Sequence, residues 1–228
     1  MPSVGEQTRT LVEHAFATGA PHVAVLMRHS AREFEPGRHD LLNPLTDEGR
    51  ALAESFGRQL PKQVLARGYA SPAERCMETA ALMLRGHEVH GGRVTRHRPV
   101  EGLGVFYVLD QMRMFKAMTS ANGQVPFLRR WFQGDVPVDV MMPAAVAARI
   151  VGRVVGDKVR QSVATPQLDV CVSHDMTLYL VREMLLGIAA ESAPVDFLDG
   201  VVVFERDGRL VMAQVPGREV DIEVDIDG

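Results

Sequence analysis

Two imidazoles stand where this chain could act on a phosphoryl group or another small anion. His29 lies in Arg28-His29-Ser30-Ala31-Arg32, and His174 lies in Val172-Ser173-His174-Asp175. Each follows a short apolar run, HVAVLM over 22–27 in the first case and LDVCV over 168–172 in the second. Such runs are typical of strands buried on both faces. In open α/β sheets, ligands bind beyond the carboxyl ends of the strands, so both imidazoles fall where a site is expected. Three arginines could converge on them: Arg28, Arg32 and Arg75. Guanidinium forks, together with helix N-terminal amides, are the groups with which proteins hold a phosphate dianion. A neutral imidazole nitrogen is a nucleophile toward phosphorus, and nearby guanidinium charge lowers a histidine pKa and so favours that form. Singly, a strand-end histidine can simply bond a loop carbonyl, and a lone arginine is an ordinary solvated charge. Their combination is what points to chemistry.

The elements that must position these groups alternate between strand and helix. A helix is expected over 4–16, before the first strand. Thr46-Asp47-Glu48 is a helix start with acidic groups in its first turn, and Leu52 and Phe56 supply its apolar stripe. Ser71-Pro72-Ala73-Glu74 reads as a Ser N-cap with Pro at the first helical position, and Met77, Ala80, Ala81 and Leu84 follow at helical spacing. A further helix over about 176–186 follows His174. Strands over 201–204 and 210–215 flank Asp207-Gly208, a hairpin signal. The tail over 219–227 alternates Val220, Ile222, Val224 and Ile226 with acidic residues, as in a strand with one charged face that could pair across a dimer edge. This order predicts a single α/β domain over 1–228. Its fold class is a three-layer α/β/α sandwich with a mostly parallel central sheet. The stretch 101–148, rich in methionine and aromatics, reads as a small helical cap or insertion over one end of the sheet.

Arg28-His29-Ser30-Ala31-Arg32, Leu45-Thr46-Asp47-Glu48-Gly49, Ser71 through Ala80 and Val172-Ser173-His174-Asp175 together resemble the ordered motifs of the histidine phosphatase superfamily. The resemblance runs from about residue 22 to 178. It implies a phosphoglycerate mutase-like fold and a phosphoric monoester hydrolase in which His29 is the nucleophile that becomes phosphorylated. Arg28, Arg32, Arg75 and His174 would form the phosphate pocket. Ser30 stands where the family usually has glycine, and its hydroxyl could donate a hydrogen bond there. The proton donor has two candidates. Asp175, directly after the second histidine, is similar to the acid of the acid-phosphatase and phytase branch, and Val203-Phe204-Glu205 also resembles that branch's terminal strand. Glu101, 26 residues beyond Arg75, is similar in placement to the acid of the mutase-like branch. Asp175 is the preferred reading, its carboxyl taking up a proton when a phosphate dianion binds beside it. Guanidinium charge would serve in place of a metal, and the resemblance implies no cofactor. Rival readings are a phosphomutase-type phosphotransferase and a phosphate- or phosphoprotein-binding regulatory module with little turnover.

Composition bounds the partners. The 228 residues carry a formal net charge of −4, which offers no global cationic field for nucleic acid or an anionic membrane. The expected partner is a small-molecule phosphomonoester. Two cysteines, Cys76 and Cys171, make neither a disulfide scaffold nor a zinc cluster. With no signal-like start and no apolar run of membrane length, the chain reads as cytoplasmic. His87, His90 and His97 read as a solvated loop rather than a metal site. Within the expected cap, the methionines from Met112 to Met142 read as adaptable core, while Phe127, Arg130 and Trp131 are candidate contacts to a substrate body.

Overall fold

A computed structural model describes residues 3–35 and 42–224. In chain order the elements are α1 (Glu6–Ala17), β1 (His22–Arg28), α2 (Asp47–Arg58), β2 (Leu65–Ala70), α3 (Glu74–Val89), β3 (Arg93–Val94) and β4 (Arg98–Pro99). A single 3₁₀ turn (Glu101–Leu103) leads to α4 (Gln111–Ser120), α5 (Gln124–Phe132), α6 (Ala144–Val159), β5 (Gln167–Ser173) and α7 (Asp175–Leu186). Three strands close the chain: β6 (Gly200–Arg206), β7 (Arg209–Val215) and β8 (Arg218–Asp221).

The strands form one sheet in the order β3-β2-β5-β1-β6-β7-β8, with β4 also paired to β2. From β3 and β4 through β2 and β5 to β1 the pairing is parallel, and from β6 onward it is antiparallel. The sheet is therefore mixed, with a parallel half that carries the site. Side-chain alternation along β1 builds two cores. Val23, Val25 and Met27 pack with Leu11, Val12 and Ala15 of α1, Phe56 of α2 and Met83 of α3. Ala24 and Leu26 face the other way, toward Val151 and Val155 of α6 and Leu178 and Val181 of α7. These are the three layers that strand–helix alternation predicts.

Local signals explain most boundaries. Thr46 caps α2, its side chain accepting from the Gly49 amide at 2.9 Å. Gly49 lets α2 lie directly on the loop after β1: a Cβ there would sit 2.0 Å from the Ala31 carbonyl oxygen. Asp207 and Gly208 both take positive φ, 53° and 76°, as a tight hairpin requires.

The structure departs from the sequence reading in several places. β2 was not expected, because Leu65-Ala-Arg-Gly-Tyr-Ala70 has no continuous apolar run; only alternate residues are buried. Ser71 is not an N-cap, since α3 begins at Glu74 behind Ala73 and the Ser71 hydroxyl is used elsewhere. His87 is not solvated. It is fully buried on α3, with Nε2 bonded to the Val64 carbonyl at 3.2 Å. The alternating tail is a strand only to Asp221. Ile222 and Val224 then turn inward, Val224 against Gly152 of α6. Ile226, also counted in that alternation, lies outside the described residues. Among the described residues, no helix is long and apolar enough to cross a membrane.

Candidate active site

The parallel half of the sheet brings the candidate groups together through its register. Arg28 pairs with Ser173 and Ala70 pairs with Val172, so β1, β2 and β5 end at one level. The next residues along these strands are His29, Ser71 and His174. The His29 amide donates to Ser173 O at 3.0 Å and the Ser71 amide to Val172 O at 2.9 Å. Ladder geometry thus continues one residue past β1 and β2 and fixes the backbone of His29 and Ser71, while the His174 carbonyl accepts from the Leu178 amide in α7.

His29 is 2% exposed, and its two nitrogens have different duties. Nδ1–H donates to the Ser30 carbonyl at 2.7 Å, because a carbonyl can only accept. Nε2 is then the unprotonated nitrogen, and it accepts from Arg75 Nε at 3.0 Å. Burial first, then the Arg75 charge, hold His29 well below the usual histidine pKa. The bond to Ser30 opposes this, and His174 and Arg28 add to it. Near pH 7 the ring is neutral, oriented, and presents Nε2 toward a guanidinium.

Arg75 sits in the first turn of α3 and is 2% exposed. Its Nη2 lies 3.4 Å from His174 Nδ1, so one guanidinium spans both imidazoles, whose ring centroids are 5.7 Å apart. His174 Nε2 meets Ser71 Oγ at 2.8 Å. One helical turn after Arg75, Thr79 Oγ1 donates to the Arg75 carbonyl at 2.7 Å and accepts from the Ser30 amide at 3.2 Å, tying α3 to the His29 loop. Cys76 packs with Sγ 3.8 Å from His174 Nε2, and burial pushes its thiol up to about 12, so it forms a wall rather than a nucleophile.

Arg28, the last residue of β1, has partners beyond the two imidazoles. It donates to Val195 O at 2.6 Å, lies over the Phe197 ring at 4.2 Å and reaches Asp175 Oδ2 at 3.4 Å. The segment presenting Val195 and Phe197 is bent sharply: Leu198 is fully buried with φ of 63°, an uncommon conformation for a leucine. Asp175 opens α7, its Oδ1 accepting from the Met176 amide at 2.7 Å. Arg32, Arg75, His174 and Asp175 all line one cavity of about 790 Å³, which continues toward α4 and α5.

Four predicted residues behave differently from expectation. Ser30 is fully buried, and its hydroxyl donates to the Gly49 carbonyl at 2.7 Å, so it fastens the loop to α2 instead of offering a donor to an anion. Glu101 is exposed on the 3₁₀ turn and, like the buried His29 and the half-buried Arg28, is not among the residues lining the cavity. That turn is nevertheless anchored at the site, because Ser173 Oγ donates to Leu103 O at 2.6 Å. Phe127 and Trp131 are buried, Trp131 Nε1 donating to Met142 O, so they are core rather than substrate contacts. Sequence reasoning missed Ser71, Thr79 and Phe197. The first two lay within a recognised stretch, whereas Phe197 sits in a loop without periodicity.

Comparison with known families places the chain in the histidine phosphatase superfamily (branch 1), whose model matches residues 24–196; the chain belongs to that family. A comparison with curated protein sequences found no match. Among solved structures, a phosphoserine phosphatase from Entamoeba histolytica in complex with 3-phosphoglyceric acid is 19% identical, with a TM-score of 0.55 over 85% of this chain and 96% of that one. A phosphoglycerate mutase from Bacillus anthracis is 16% identical, with a TM-score of 0.54 over 88% and 95%. A mycobacterial glucosyl-3-phosphoglycerate phosphatase is 16% identical, with a TM-score of 0.52 over 81% and 90%. At such identities the likeness is one of fold. The acid-phosphatase resemblance read from His174-Asp175 gains no specific support from these matches.

Proposed function

We propose that the protein hydrolyses a phosphomonoester in two in-line steps through a phosphohistidine on His29. The observation that carries this reading is the buried, neutral His29, with Nδ1–H held by the Ser30 carbonyl and Nε2 directed at Arg75. In the first step the Nε2 lone pair attacks phosphorus, the ester P–O bond breaks, and the leaving oxygen takes a proton from a carboxyl. In the second, water attacks phosphorus, the same carboxylate takes the water's proton, and the P–N bond electrons return to Nε2. Arg75, Arg28 and Arg32 offset the charge of the transferring group, a duty that elsewhere falls to a metal.

Asp175 is our proposed proton carrier, because it lines the cavity beside His174. Its contact with Arg28 gives that arginine two duties, holding the carboxylate before substrate arrives and sharing the phosphate afterwards. Glu101 is the comparison. Acid catalysis matters most for a poor leaving group. Asp175→Asn should therefore cost at least tenfold more on an alkyl phosphate than on p-nitrophenyl phosphate, whereas Glu101→Gln should show no such difference. The opposite pattern transfers the role to Glu101. For the reaction itself, acid-quenched wild-type protein should carry phosphate on His29, and His29→Ala should carry none. Label on another residue, or full turnover in His29→Ala, defeats the proposal. Isomer interconversion without phosphate release would identify a mutase instead.

A further inference from the structure

The cavity beyond the phosphate-holding residues is larger and more apolar than a small sugar phosphate or hydroxy acid requires. A water molecule takes up ~30 Å³ of the liquid, so about 790 Å³ has room for about 25 non-hydrogen atoms. A phosphate group uses about five of these, which leaves space for a leaving group of about twenty. The walls on the α4 side are Val105, Val108, Met114, Phe115 and Met118, with Met176 of α7 below them. These six offer no hydrogen bonds to a polyhydroxylated body, and beyond the phosphate end the polar side chains lining the cavity are Glu35, Gln111, Thr119 and Gln124. Three of the six are methionines, unbranched and adaptable, which suits an occupant of variable shape.

The rim continues this character. Phe34 lines the cavity and is 74% exposed, and Leu109 and Met112, which follow the lining residues Val108 and Gln111 in sequence without lining the cavity themselves, are 54% and 69% exposed. Apolar side chains left exposed near a cavity gain nothing for the fold. They are accounted for if an apolar ligand continues past the mouth.

We propose that the substrate is a phosphorylated amphiphile: a phosphomonoester whose leaving alcohol carries an extended apolar tail lying between α4 and α7. The inference rests on the phosphatase reading for its phosphate end, and its test separates the two. Binding of monomeric n-alkylphosphonates, from ethyl to dodecyl, is measured by calorimetry; these compounds carry the phosphate-like head and cannot be hydrolysed. Burial of a methylene contributes up to about fourfold in affinity, so affinity should rise about two- to fourfold per carbon until the tail outruns the cavity. Met118→Gln and Phe115→Asn should flatten that slope. A slope of zero from ethyl to octyl, glycerol phosphate binding as tightly as octylphosphonate, or a slope untouched by both variants overturns the assignment. Hydrolysis of octyl phosphate is followed separately. A steep binding slope without phosphate release refutes the phosphatase reading and retains the amphiphile as ligand. Release from ethyl phosphate with a flat slope does the reverse.

Discussion

Replacing Arg75 by methionine and by lysine probes the electrostatics on which the chemistry depends. Its Nε lies 3.0 Å from His29 Nε2 and its Nη2 lies 3.4 Å from His174 Nδ1. In the proposed reaction, a phosphoryl group entering between the two imidazoles would take two guanidinium hydrogen bonds. Hydrogen bonds to charged groups contribute about 1.5–3 kcal/mol each, or about 3–6 kcal/mol for the pair. At 1.36 kcal/mol per tenfold, Arg75→Met should lower kcat/KM by about 10²–10⁴. Lysine keeps the charge but replaces the planar fork by one ammonium, so one contact survives and the loss falls to about 10–100-fold. A second readout is independent of affinity. After burial, Arg75 is the strongest influence holding His29 below its ordinary pKa. Without that charge the His29 pKa rises, and the neutral nucleophile is lost at a higher pH on the acid side. The acid limb of kcat/KM should move up in pH in Arg75→Met and much less in Arg75→Lys. Steady-state phosphate release from phenyl phosphate between pH 4.5 and 9, with the Tm of each variant, measures both effects. Activity of Arg75→Met within tenfold of wild type, or an unmoved acid limb, refutes the reasoning.

Two further outcomes follow from groups outside the reaction. Asp169 is fully buried on β5, bonded by Arg67 Nε at 2.6 Å and close to His22 Nε2 at 3.1 Å. Burial pushes its carboxyl up, but the bonds from Arg67 and His22 outweigh this and hold it below its ordinary value. Asp169→Asn should destabilise by about 3 kcal/mol at pH 7, read as a Tm lower by about 6–12 °C. Because the folded pKa is depressed, this stabilisation is fully present above about pH 4, the unfolded carboxyl value, and lost as pH falls through the lower folded one. Melts of both proteins should converge only in strong acid; a constant difference down to pH 2 would contradict the assignment. Cys76 and Cys171 are fully buried, with thiols pushed up to about 12. Iodoacetamide at pH 8 should label neither in the folded protein and both in urea, as mass spectrometry will show.

How far the sequence could be read depended on whether a residue's environment was local. β1 and β5 were legible because strands buried on both faces need continuous apolar runs, and those runs placed His29 and His174 correctly. β2 was hidden because Arg67 and Gly68 interrupt it. Arg67 is there to meet Asp169, and at Gly68 a Cβ would stand 2.8 Å from His97 Cβ; both reasons lie far away in the chain. Ser71 carried a good helix-cap signature and is used otherwise, since His174, 103 residues away, takes its hydroxyl. His87 shows the converse failure. Its neighbours are polar, yet it lies four residues after Met83 on the buried face of α3, so helical spacing was the better guide.

The two polar clusters on β1, β2 and β5 depend on one another through strand register. Near the amino ends, His22, Arg67 and Asp169 meet on the three strands. At the carboxyl ends, His29, Ser71 and His174 meet on the same three. Between them Val170, Cys171 and Val172 of β5 are fully buried and apolar, and apolar packing alone tolerates sliding poorly distinguished neighbours past one another. A slip of one residue displaces a strand by about 3.3 Å and reverses its faces. It would carry Asp169 away from Arg67, leaving a buried charge without its partner, and in the same movement carry His174 away from Ser71 and Arg75. The ionic cluster thus penalises the misregistered sheet far more than it stabilises the correct one. The geometry of His29 is therefore guarded from the opposite end of the strands, by residues remote from the candidate site.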